Sequence, residues 1–160
     1  MNDRRAFLGI FGAGTIGLLL FGRGAPSNAD AHFAVNRSPD QWRRILGAER
    51  YAVLREAATE RPFSSSLLNE HRKGTFVCAG CALPLFSSAT KFESGTGWPS
   101  FWKTLPHSVV TRPDHSDMMD RTEVLCARCG GHLGHVFDDG PKPTGLRYCM
   151  NGLALNFRPS

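Results

Sequence analysis

The sequence predicts a mainly β domain of antiparallel strands, led in by short N-terminal helices. Three observations carry that expectation. From Gly74 to the C-terminus, short apolar runs ("TFVC", "LPLF", "SVVT", "TEVLC", "HVF", "LALNF") alternate with clusters of Gly, Pro, Asp and Ser, the texture of strands joined by tight, irregular loops. Before Gly74 the apolar residues recur at helical spacing instead. Two C-x-x-C pairs, Cys78/Cys81 and Cys126/Cys129, close two of the apolar runs, where one metal ion would tie strand ends together.

The first 31 residues read as an export signal, leaving one domain of residues 32–160. A charged start with Arg4 and Arg5 adjacent is followed by a run from Ala6 to Phe21, 16 residues without charge, and then by Ala29 and Ala31, spaced like an A-x-A cleavage site. The run is shorter than the ~20 residues a membrane-spanning helix needs, and four glycines dilute it, so a permanent anchor is not expected. "DRRAFLG" resembles the twin-arginine signal of bacteria, which implies export of a folded chain to the periplasm, with membrane contact only in transit. An ordinary secretory leader that happens to carry two arginines is the alternative.

The two helical stretches come next. Ser38 is a cap, Pro39 suits the first turn and Gln41 completes a capping box, with Trp42, Ile45 and Leu46 on one face. Glu49 to Ala58 forms the second stretch, placing Tyr51, Leu54 and Ala58 together. The formal charge of +5, from 19 basic and 14 acidic residues, is spread along the chain without basic blocks or aromatic–basic interleaving. No nucleic-acid partner is therefore expected.

In the β region, Cys78, Cys81, Cys126 and Cys129 supply the four thiolates of a tetrahedral zinc site. The gap between the pairs is 44 residues, so the metal would clip a long loop. Two disulfides, or two redox pairs, are the alternatives in an oxidising compartment. Export in the folded state favours zinc, loaded before any oxidant is met. With four sulfur ligands no coordination position is left for substrate, which makes the metal structural.

Cys149, in "GLRYCMNG", is the fifth cysteine and has no partner in either pair. In an extended strand Arg147, Cys149 and Asn151 share one face, so a cation, a nucleophile and an amide donor line up. A buried strand cysteine with polar neighbours at its rim is the other reading. His132 and His135, in "GGHLGHVFDDG", follow the second knuckle directly and are suited to proton donation near neutral pH. In "ESGTGWPSFW", Gly95 and Gly97 precede Trp98, which can wall an apolar pocket or belong to the core.

"CAGCALPLF", "FESGTGWPSFW", "RTEVLCARCGGHLGHVFDDGP" and "LRYCMNGLALNF" resemble, in order, the motifs of the B-type methionine-R-sulfoxide reductases. The resemblance implies two antiparallel sheets in a zinc-bearing β-tent and thiol-dependent reduction of methionine-R-sulfoxide in oxidised proteins or peptides. It further implies Cys149 as the nucleophile, with His132 and His135 positioning and protonating the sulfoxide oxygen. Asn151 and Arg147 would surround the nucleophile, and Trp98 would pack on the substrate's methyl group. Many relatives carry a second thiol within the chain, some at the position of Thr96. Here none is spare, which implies an external thioredoxin-like or small-thiol reductant.

Overall fold

The computed structural model describes residues 33–160, so the expected export signal, residues 1–31, lies outside the described residues. Helix α1 spans Pro39–Glu56. Its start follows the local chemistry: Gln41 N–H donates to Ser38 Oγ and Ser38 N–H to Gln41 Oε1, a reciprocal box that satisfies two orphan donors. The two expected helices are two segments of this one element, broken at Gly47, where φ 70° and ψ 173° leave the helical region. Ala57, in the left-handed conformation, ends it after Glu56. Trp42, Leu46, Tyr51, Val53 and Leu54 are buried. Ile45, expected beside Trp42 and Leu46, is instead 55% exposed.

Nine strands follow: β1 (Gly74–Cys78), β2 (Pro84–Ser87), β3 (Lys91–Phe92), β4 (Ser100–Phe101), β5 (Val109–Asp114), β6 (Arg121–Cys126), β7 (His132–Phe137), β8 (Arg147–Met150) and β9 (Leu155–Pro159). They form two antiparallel sheets, one ordered β2-β1-β9 and the other β3-β4-β8-β7-β6-β5. Every apolar run singled out in the sequence contributes to a strand. The two-residue strands β3 and β4 flank the glycine-bearing segment around Gly95 and Gly97 and were not among the runs singled out in the sequence.

The sheets meet through aromatic rings. Phe76 of β1 and Phe86 of β2 both contact Phe101 of β4, at centroid separations of 4.9 and 4.3 Å, and all three side chains are fully buried. Each contributes about 1.5–3 kcal/mol by leaving water. Helix α1 joins the same core through Trp42 and Leu54, and Arg55 Nη1 donates to Cys129 O at 2.9 Å, docking the helix on the second cysteine turn. Among the described residues no helix is long and apolar enough to cross a membrane.

Candidate active site

Both C-x-x-C segments adopt the same turn. Ala82 N–H donates to Cys78 O at 2.8 Å and Gly130 N–H to Cys126 O at 2.9 Å, with Ala82 at φ 59° and Gly130 at φ 65°. The turns extend β1 of the smaller sheet and β6 of the larger, so the four sulfurs converge where the sheets are joined. All four lie within 4.8 Å of one another. Cys78 and Cys129 are 3.7 Å apart, Cys81 and Cys126 3.5 Å. A tetrahedral ion with metal–sulfur distances of ~2.3 Å needs sulfurs ~3.8 Å apart, so the set fits one metal ion. These contacts run across the turns and exceed the ~2 Å of a disulfide bond. Hydrogen bonding to Cys126 pushes Cys78 and Cys129 up and Cys81 down, whereas hydrogen bonding to Cys129 brings Cys126 down. A metal ion bound by the four sulfurs would displace their protons.

A second site opens on the larger sheet. Cys149, half-buried on β8, pairs across the sheet with His135 of β7 on one side and Ser100 of β4 on the other. Together with Trp98 and Asn151, Cys149 and His135 line a cavity of about 140 Å³, whose remaining wall includes Phe137 and Gly134. Gly134 is required there: a Cβ at this position would stand 2.1 Å from Cys149 O. The Thr96 hydroxyl lies 3.7 Å from Cys149 Sγ.

Two carboxylates hold the two histidines. His135 Nε2 meets Asp114 Oδ2 at 2.8 Å, and His132 Nδ1 meets Glu123 Oε1 at 2.7 Å. Burial pushes the His135 imidazole below its ordinary pKa, and the hydrogen bond to Asp114 only partly offsets this. Asp114 is held well below the usual carboxylate range by the Ser116 hydroxyl and amide and by His135. For Glu123 burial pulls upward, yet His132 and Arg112 outweigh it and keep the carboxyl low. His132 is 4% exposed. Its ring stands edge-on to that of His135 at 5.4 Å, and its Nε2 is buried without a partner among the described residues.

The SelR domain family matches residues 46–159. Three relatives, each named peptide methionine sulfoxide reductase MsrB, are similar over most of their length. The relative from Leptospira interrogans is 52% identical over 128 residues, 79% of this chain and 98% of its own. That from Methanosarcina barkeri is 54% identical over 129 residues, covering 80% and 91%. That from Bradyrhizobium diazoefficiens is 60% identical over 126 residues, covering 78% and 91%. The chain belongs to the MsrB family.

Of the residues singled out in the sequence of this MsrB chain, Cys149, His135, Trp98 and Asn151 share the cavity wall, and His132 stands behind His135. Arg147 stands beside Cys149 on β8, where Asp139 and, after it, the Cys149 side chain help to raise its pKa. It forms a bidentate pair with Asp139, both contacts 2.8 Å, and lies over the Phe137 ring, so part of its charge is spent there. Asn151 follows the end of β8, and its amide is occupied: Oδ1 accepts from Glu60 N–H at 3.0 Å and Nδ2 donates to Leu133 O at 3.3 Å. Asn151 keeps an extended backbone and lines the same cavity as Cys149, the chain turning only at Gly152–Ala154.

Sequence reasoning missed Asp114, Glu123, Asp139 and Glu60 in this MsrB site. Glu60 is 7% exposed. Its main chain accepts from Trp98 Nε1 at 3.1 Å and donates to Asn151, while its carboxylate caps Gly152 and Leu153 N–H. One residue thus fixes both Trp98 and Asn151. Glu123 did leave a trace, a charged residue embedded in the apolar run "TEVLC". Asp114 and Glu60 left none, since their partners are distant in the chain.

Proposed function

We propose that this chain reduces methionine-R-sulfoxide, in oxidised proteins or peptides, to methionine, with Cys149 as nucleophile. The observation that supports this most is that Cys149, the one cysteine outside the four-sulfur cluster, opens into the same small cavity as His135 and Trp98. The Cys149 thiolate attacks the sulfoxide sulfur while His135, backed by His132, delivers a proton to the oxygen. Methionine leaves with its sulfur reduced by two electrons, and Cys149 keeps the oxygen as a sulfenic acid. Trp98 packs on the substrate's methyl group and Asn151 and Arg147 supply polar contacts around the nucleophile. Cys78, Cys81, Cys126 and Cys129 hold one structural zinc, whose contribution is to fix the turn that leads into β7.

No further thiol is free to resolve the sulfenic acid, so an external dithiol of thioredoxin type, or a small thiol, reduces it and releases water. The paired arginines, the uncharged run and Ala29/Ala31 support removal of residues 1–31 after twin-arginine export, giving a bacterial periplasmic enzyme of residues 32–160. A Cys149→Ser variant is expected to keep its zinc and lose sulfoxide turnover; retained turnover would reject the assignment. After substrate is added without reductant, mass spectrometry should find no disulfide between Cys149 and another cysteine of the chain.

A further inference from the structure

On the hairpin joining β5 to β6, two methionines face water. Met118 has a relative exposure of 103% and Met119 of 49%, whereas Met150, next to Cys149, has 0%. The turn that carries them is tied at its base. Ser116 N–H donates to Asp114 Oδ1 at 2.9 Å, Arg121 Nη2 donates to Ser116 Oγ at 2.9 Å, and Arg121 pairs with Asp114 Oδ2 at 3.0 Å. Nearer the tip, Met119 N–H donates to Ser116 O, and Met118 is held at φ 57°. The base belongs to the catalytic wall, since Asp114 binds His135 and Arg121 lines the cavity. The tip presents thioethers to solvent.

We propose that Met118 and Met119 form an oxidisable site of the enzyme itself, and that the sulfoxide formed there on one copy is a substrate for the catalytic cavity of a second copy. The repair step rests on the methionine sulfoxide reductase reading. In the first step a peroxide meets the thioether: its O–O bond breaks, one oxygen becomes bonded to the methionine sulfur, which loses two electrons, and the other leaves as water. Met150, enclosed on all sides, is protected from that encounter. In the second step Cys149 of the other copy takes the oxygen as a sulfenic acid, the thioether is restored, and an external dithiol completes the cycle.

Repair within one chain is disfavoured by the hairpin's own construction. For its tip to enter the cavity, the hairpin would have to fold back over its base and break the Asp114 contacts to Ser116, Arg121 and His135, which are themselves part of the site. A second molecule reaches the tip with those bonds intact.

The test uses a full-length Cys149→Ser chain with its metal in place, exposed to hydrogen peroxide and then freed of it. Cys149→Ala replaces it if metal content shows the serine variant to be misfolded. Peptide mapping by mass spectrometry follows each added oxygen. Dithiothreitol and a catalytic amount of a Met118→Leu/Met119→Leu chain are then supplied. Met118 and Met119 are expected to gain oxygen well before Met150, and then to lose about half of it, because chemical oxidation makes both sulfoxide epimers and each reductase type acts on one. The proposal is overturned if Met150 is oxidised as fast as Met118, or if the turn keeps all its oxygen while the same catalyst reduces a methionine sulfoxide peptide. A catalyst inactive on that peptide would instead remove the reductase reading, and the repair step with it.

Discussion

At the scale of single residues, the site depends on the carboxylates of Asp114 and Glu123, which hold its two histidines. His135 faces the cavity with its proton affinity lowered by burial and partly restored by Asp114. On the proposed chemistry His135 is the proton donor and works only while protonated, so kcat/KM should fall as pH rises through its pKa. Asp114→Asn removes an influence that raises that pKa, so the alkaline fall should begin at lower pH, with a loss of roughly tenfold or more at neutral pH. A pH profile of kcat/KM checks this; an unmoved alkaline limb would assign the proton to another group. Cys149, His132 and His135 were legible in the sequence because such residue types, clustered and not otherwise employed, carry their chemistry with them, whereas Trp98 drew its role only from the family resemblance, its spacing alone fitting a core residue as well. Asp114 was not, since its meaning arises only when β5, β6 and β7 are laid side by side. Glu60 escaped for the same reason, its partners standing 91 and 92 positions away.

At the scale of elements, the cysteine turns were the most legible feature, because a two-residue spacer aims both sulfurs at one point whatever surrounds them. The capping box at Ser38 was equally plain. So was the division into two helical stretches, which part at Gly47, where φ 70° and ψ 173° leave the helical region. Strands β3 and β4 were hidden by their length, two residues being too few to show a period. The sulfur cluster ties the turn after β1 to the turn after β6, the two cysteine pairs being separated by 44 residues. On the proposed zinc site, Cys126→Ser should therefore abolish metal binding and destabilise the fold by several kcal/mol, lowering the thermal midpoint by roughly 10 °C or more. Metal analysis alongside circular dichroism reads both effects, and an unchanged midpoint would remove the metal from the fold's support.

At the scale of the whole molecule, the strand runs foretold a β protein, but not which strands belong to which sheet. That partition depends on β9 returning to pair with β1, a contact between the first strand and the last. The histidine–carboxylate pairs give the assembled fold a definite response to acid. His135 has a folded pKa below its ordinary 6.5, so protonation favours the unfolded chain and stability should start to fall below about that pH. Asp114 and Glu123, with folded pKa values below 3.8 and 4.5, contribute fully above those values and lose their contribution as pH drops through the lowered folded values. The thermal midpoint should thus decline in two stages between neutral and acid pH, the first of them lost in a His135→Gln variant; a midpoint flat down to pH 5 would contradict the first stage.

The Thr96 hydroxyl, 3.7 Å from the reactive sulfur, has a kinetic meaning of its own. An alcohol cannot store the oxidising equivalent that a neighbouring thiol would take up. On the proposed chemistry each turnover then leaves the enzyme waiting for a collision, and the dwell time of the oxidised form scales inversely with donor concentration. When donors run short, molecules stalled in that form accumulate, and their abundance becomes a gauge of the reducing power delivered to the compartment.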